Sequence, residues 1–127
     1  MMMGEILMLV VRLTMTATAL LVAGVVQAQT PSGEQIFKQR CQMCHGIKAG
    51  APSVLGPNLA GVVGRSAGTT KFNYSAGMKA VKITWTKETL NTYLAGPGKM
   101  VPGTRMVVNV SDAVQRKTLI SYLAAVK

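Results

Sequence analysis

Apolar positions along this chain follow two regimes. From Ile6 to Ala28 they are almost continuous, interrupted by Arg12. Beyond that they come in short groups separated by Gly, Pro, Ser and Asn. Ser32-Gly-Glu-Gln35 is a capping box, and Ile36, Phe37, Arg40 and Cys41 follow at helical spacing, which predicts a helix over 33–43. Thr86 is the cap of a second helix over 86–95, stopped by Gly96-Pro97. A third starts at Ser111-Asp112, with a cap and a first-turn acid, and sets Leu119, Tyr122, Leu123 and Val126 along one face. Over 46–80 the breakers Gly50, Pro52, Gly56-Pro57, Gly61, Gly64 and Gly68 leave room for a turn or two of helix at most. No run alternates long enough to require a sheet, so the class is all-α with extensive loops. So long a loop region in a small domain needs an organiser other than backbone pairing, and a cofactor is the usual one.

The first apolar run reads as an address. Residues 13–26 have the length of a signal-peptide hydrophobic region, and Val26-Gln27-Ala28 offers small residues for a cut before Gln29. The alternative is an uncleaved anchor, because 6–26 could cross a bilayer; Arg12 inside the run and the cleavable end favour removal. The domains expected are therefore a signal peptide at 1–28 and one folded unit at 29–127. The whole chain is 127 residues long, 49% apolar, with a formal charge of +10. Cleavage takes one cation (Arg12) and one anion (Glu5), so the charge survives in the 99 residues that remain. A domain of that size buries only about two-thirds of its extended-chain surface, and an internal cofactor would help fill its core.

Two Cys and one His are the scarce residues, and they sit together as Cys41-Gln-Met-Cys44-His45. C-x-x-C-H is the attachment signature of c-type haem. Thiols at i and i+3 share one helical face, so both can form thioethers to one macrocycle, with His45 next in line as iron ligand. A plain disulfide or a thioredoxin-like pair would also use two Cys, but the latter belongs in a βαβ pattern that is missing here. Zinc needs about four ligands, more than two Cys and one His supply. With a single imidazole, a second axial ligand must come from elsewhere. Beyond the leader there are four Met: Met43, Met78, Met100 and Met106. Met43 lies inside the attachment loop and points away. Met106 follows Pro102-Gly-Thr-Arg105, a turn able to present a thioether rigidly, and Met100 is its local competitor. His/Met ligation raises the reduction potential and leaves no coordination position for substrate.

These strings, taken together, resemble the class I c-type cytochromes, of the mitochondrial type and its bacterial relatives. The resemblance is carried by CQMCH, GPNLAGVVGR (Gly56 to Arg65), Ile83-Thr-Trp85 and Pro102-Gly-Thr-Arg-Met106, in order over nearly all of 32–127. It implies a small all-α fold, three main helices with long loops wrapped around one covalent haem c held through Cys41 and Cys44. The iron ligands would be His45 and Met106. Pro57 would offer its carbonyl to His45; Arg65, Tyr74 and Trp85 would donate to the inner propionate; Tyr93 and Thr104 would hydrogen-bond around the Met ligand. Leu59 and Leu94 would line the pocket, and Phe37 would pack the first helix against the last near Leu119 and Tyr122. The chain departs from the family pattern at Met78, where Asn is common, and at Ser53, where many relatives carry a second His. Of the family's basic ring, Arg40, Lys99 and Arg105 match, while Glu34 and Gln35 stand where Lys is frequent.

The function implied is a monohaem carrier passing one electron between membrane-bound respiratory or photosynthetic oxidoreductases, without catalysis of its own. An enzyme (a peroxidase-like haem protein or a dehydrogenase subunit) is the rival from another class. The expected partners are acidic faces of redox proteins, such as a quinol:cytochrome c oxidoreductase and a terminal oxidase or reaction centre. Nucleic acid is not among them, because the basic residues are scattered and the aromatics are taken by the pocket. A periplasmic monomer is expected, free of the membrane once cleaved and tethered if 6–28 is retained.

Overall fold

The computed structural model describes residues 24–53 and 55–127. Most of the proposed leader therefore lies outside the described residues; its end, 24–28, is exposed and outside any helix. Five helices follow in order: α1 (Gly33–Arg40), α2 (Ala76–Ala80), α3 (Lys87–Ala95), α4 (Pro97–Met100) and α5 (Ala113–Ala125). Among the described residues there is no strand, only one antiparallel bridge between Ser66 and Thr84. The all-α expectation holds.

Side-chain caps start the main helices. In α1, Ser32 Oγ accepts from the Gln35 N–H at 3.2 Å, and Gln35 Oε1 accepts from the Ser32 N–H at 2.8 Å. In α3, Thr86 and Thr89 exchange the same pair of bonds. In α5, Asp112 Oδ1 accepts from the Gln115 N–H at 2.7 Å. Each bond satisfies a donor that the first helical turn leaves without a partner.

Several boundaries differ from the expectation. The first helix ends at Arg40 rather than 43, because Phe37 O takes both the Cys41 and Gln42 N–H groups and the chain turns through Cys41–Cys44. Gly96-Pro97 stops α3 but also opens α4, with Pro97 at a first-turn position where no N–H is needed. Asp112, expected as a first-turn acid, is itself the α5 cap, and Val126 lies beyond the helix as its C-cap. The buried residues of α5 are Leu119, Ile120 and Leu123.

α5 packs on both α1 and α3. Phe37 meets Tyr122 with ring centroids 6.0 Å apart at a tilt of 46°. Gly33 sits at this crossing: a Cβ there would overlap Tyr122 Cβ and come within 2.6 Å of the Thr118 carbonyl oxygen. Ile36, Phe37, Leu90, Leu94, Leu119 and Leu123 are buried in the core. Val62, Met78 and Trp85 belong to the same core, and they border the cleft together with Leu90, Leu94, Leu119 and Leu123. Replacing Gly33 by Ala is expected to push α1 off α5 and lower stability by about 1–3 kcal/mol, read as a lower denaturant midpoint with an unchanged slope.

Candidate functional site

The turn after α1 delivers the attachment residues. The Cys41 carbonyl accepts from the N–H groups of Cys44 (3.0 Å) and His45 (2.9 Å), which folds the five residues into one tight turn. Cys41, Cys44 and His45 all border one apolar cleft of about 260 Å³, while Met43 faces solvent, 86% exposed. Neither thiol is in a disulfide. Burial pushes the Cys41 thiol up to about 11, so it is neutral at physiological pH.

His45 is fixed by the loop that follows. Its Nδ1 lies 2.7 Å from the Pro57 carbonyl oxygen. A carbonyl can only accept, so the proton sits on Nδ1 and the lone pair on Nε2 remains for a metal. Burial lowers the imidazole pKa, outweighing the bond to Pro57, which acts the other way. The ring is therefore neutral at pH 7, the form an iron requires. Gly56 makes this approach possible: a Cβ there would stand 2.5 Å from His45 Cε1 and 2.8 Å from Nδ1. Asn58 holds the loop itself. Its Nδ2 donates to the carbonyls of Lys48 (2.7 Å) and Ala51 (3.1 Å), and its Oδ1 accepts from the Ala60 N–H at 2.8 Å. Ser53 Oγ accepts from the Asn58 N–H at 3.0 Å.

Met106 borders the same cleft. Met100 does not: it faces a separate hollow with Asn91, Thr92, Ala95, Gly96 and Lys99. The turn before Met106 needs Gly103, whose φ is +81°. It packs on α2, where a Cβ on Gly77 would run into the Pro102 carbonyl oxygen. Tyr93 Oη and Thr104 Oγ1 share a hydrogen bond of 2.8 Å, and Thr104 Oγ1 accepts from the Met106 N–H at 3.3 Å.

The remaining sequence-predicted residues gather here too. Pro57, Leu59, Arg65, Tyr74, Trp85, Tyr93, Leu94 and Thr104 all border the cleft. Backbone pairing places Trp85 beside Arg65, with the Trp85 N–H donating to Arg65 O at 2.9 Å. Arg65 donates to the carbonyls of Asn58 (2.9 Å) and Ala60 (3.4 Å), and the Tyr74 hydroxyl pairs with Thr70 Oγ1 at 2.6 Å. Met78 is buried on the same wall. Lys99 lies away from the cleft, against Gly96, so of the three matching basic residues only Arg40 and Arg105 are at its edge.

The family model for cytochrome c matches residues 31–127. This chain belongs to the cytochrome c family. It is 45% identical to cytochrome c of Ginkgo biloba over 94 residues, 72% of this chain and 83% of that protein. The match to Cannabis sativa cytochrome c is also 45% over 94 residues, 72% and 85% of the two chains. Cytochrome c 2.1 of Caenorhabditis elegans is 45% identical over 93 residues, covering 72% and 83%. Cytochromes c carry one covalent haem, and the donor set here fits it: two unpaired thiols and one oriented imidazole on an apolar cleft wide enough for more than side chains.

Sequence reasoning missed Gly56 and Asn58 as working parts of this cytochrome c site. A Gly immediately before the Pro that holds His45 was the available signal for the first. Gly56→Ala is expected to displace the imidazole and to cost about 1–3 kcal/mol, seen as a lower denaturation midpoint together with an altered spin-state spectrum of the haem-loaded protein. Burial raises the Tyr93 hydroxyl above its ordinary value of 10.0, the Thr104 bond acting the other way. The folded state therefore keeps this proton after the unfolded chain has lost it. Its contribution is complete below pH 10 and is lost as pH rises through the raised value. Tyr93→Phe should accordingly flatten the alkaline fall of stability, measured by denaturation at several pH values from 8 upward.

Proposed function

We propose that this cytochrome c is a diffusing one-electron carrier whose iron is held by His45 and Met106. One observation carries the reading: an imidazole whose Nδ1 is taken by Pro57 and the Met106 side chain border a single cleft, whereas Met100 faces another hollow. Bound haem supplies reversible one-electron chemistry between ferric and ferrous iron. The chain's residues do the rest. Pro57 keeps the His45 proton on Nδ1, and the Tyr93–Thr104 bond fixes the turn that presents Met106. With His45 and Met106 both bound to the iron, no coordination site would be left for a substrate, which favours electron transfer over catalysis. Trp85, Met78, Leu94 and Leu119 make the cleft wall apolar, which disfavours extra charge on the iron and so supports a raised potential.

The partners would be membrane-bound oxidoreductases, respiratory or photosynthetic, that present acidic faces near the edge at Cys41 and Cys44. Charge supports this: the chain carries +10, and one ion pair, Lys38 with Glu34 at 2.6 Å, is formed among the described residues. Two of the cleft-edge cations serve the fold as well. Arg105 donates to the Asn73 carbonyl and lies 6.0 Å over the Phe72 ring, and Arg40 donates to Asn109 O at 3.4 Å. The compartment proposed is the bacterial periplasm, reached through a leader cut after Ala28. The exposure of 24–28 outside any helix suits a protease, and no helix among the described residues is long and apolar enough to cross a membrane.

Replacing Met106 by Ala is expected to abolish the absorption band from thioether to ferric iron, while Met100→Ala keeps it. Survival of the band in the first variant and its loss in the second would reassign the ligand. Electron transfer to an acidic partner should slow as salt rises, in stopped-flow traces over a range of ionic strength.

A further inference from the structure

We infer that Arg116, on α5, is the positioning residue that holds the Met106 segment in place. The inference rests on the reading of Met106 as the iron ligand. Residues 101–112 form no helix, so Met106 stays where the two ends of its segment are tied. Upstream the ties are the buried Val101, whose N–H donates to Pro97 O at 2.9 Å, the Tyr93–Thr104 bond, and Arg105, which donates to the Asn73 carbonyl. Downstream the chain has little packing of its own, because Val107 is 88% exposed and Val108 40%. Asn109 O takes only a long, exposed bond of 3.4 Å from Arg40, and the first buried anchor is Val110, 1% exposed, whose N–H donates to Leu94 O at 2.8 Å.

Arg116 closes this anchor from three sides. Its Nη1 donates to Val110 O at 2.9 Å and to Ser111 O at 2.7 Å, and its Nε donates to Asn91 Oδ1 at 2.9 Å. One guanidinium thus joins α5, the end of the Met106 segment and α3, the helix that also carries Tyr93 and Leu94 on the cleft. Bonds from a charged donor are about twice as strong as neutral ones. A lysine ammonium, a point charge on a flexible stem, lacks the rigid fork that reaches all three acceptors. A segment with few buried contacts opens locally at low cost. Without Arg116, the Met106 segment loses its downstream hinge pin and swings from the iron more often.

Imidazole titration of the ferric haem-loaded protein reads that opening directly. Added imidazole binds only when the thioether has left, so its apparent affinity scales with the open fraction. Arg116→Ala should raise that affinity about tenfold, equivalent to about 1.4 kcal/mol. Arg116→Lys should fall between the parent and Ala, and Asn91→Ala, which removes one of the three ties, should raise it about threefold. Should Arg116→Ala fail to fold, the Lys and Asn91 variants decide the matter by the same readout. A lowered denaturation midpoint with imidazole affinity within twofold of the parent would make Arg116 merely structural and overturn the inference. Absence of the thioether band in the parent would overturn the ligand reading and this inference together. A parent band with unchanged affinity in every variant would overturn this inference alone.

Discussion

One hydrogen bond sets the terms for the rest of this molecule: His45 Nδ1 to the Pro57 carbonyl, 2.7 Å long. The chain has a single histidine, so the orientation of one imidazole decides where an iron can sit. The bond settles the tautomer, and burial keeps the ring neutral. Everything on that side of the cleft follows from making it possible. Gly56 leaves room for the ring, Asn58 gathers the carbonyls of Lys48 and Ala51 into a loop that presents Pro57, and the Cys41–Cys44 turn delivers His45 from the end of α1.

The part of the cleft bordered by Met106 is built differently. No element of regular structure carries Met106. Its segment is laced to the body by scattered polar contacts: Thr104 to Tyr93, Arg105 to Asn73, Asn109 to Arg40 and Val110 to Arg116. The two walls therefore differ in physical character. The histidine side is a compact turn supported by a loop tied to itself, and the methionine side is a strap tied to four neighbours. The positive charge of the chain does not serve binding alone, since Arg40 and Arg116 donate to backbone carbonyls of that strap and Arg105, within it, donates to the Asn73 carbonyl.

How much of this was legible in the sequence follows from the range of each interaction. The caps Ser32, Thr86 and Asp112 act on groups three residues away, so the three main helices were readable, although Asp112 was expected in the first turn rather than as the cap. Arg40 as a helix end was not, because the unwinding depends on Phe37 O accepting two donors and on the Cys41–His45 turn. Pro97 read as a stop, although the same ring is suited to start the short helix that follows. The loop region 46–80 was expected to need a cofactor as organiser. Asn58 shares that work, through bonds to residues seven and ten positions back that no periodicity reveals. Arg116 was hidden for a related reason. On a helix it looks like a solvated cation, and only the fold brings Asn91, 25 residues away, to its Nε. The family resemblance placed Pro57, Arg65, Tyr74, Trp85, Tyr93, Thr104 and Met106 around one cleft, and all of them border it.

The central claim is that one imidazole and one particular thioether complete the iron's coordination. It is tested most directly by a carbon–proton correlation spectrum of the ferrous haem-loaded protein, labelled on its methionine methyl carbons. A methyl held against the face of a haem is moved far upfield by the ring current. The account predicts one such resonance, assigned to Met106, with Met43, Met78 and Met100 in the ordinary methionine range or displaced only slightly. A spectrum with no far-upfield methyl, or with one belonging to Met78 or Met100, would contradict it.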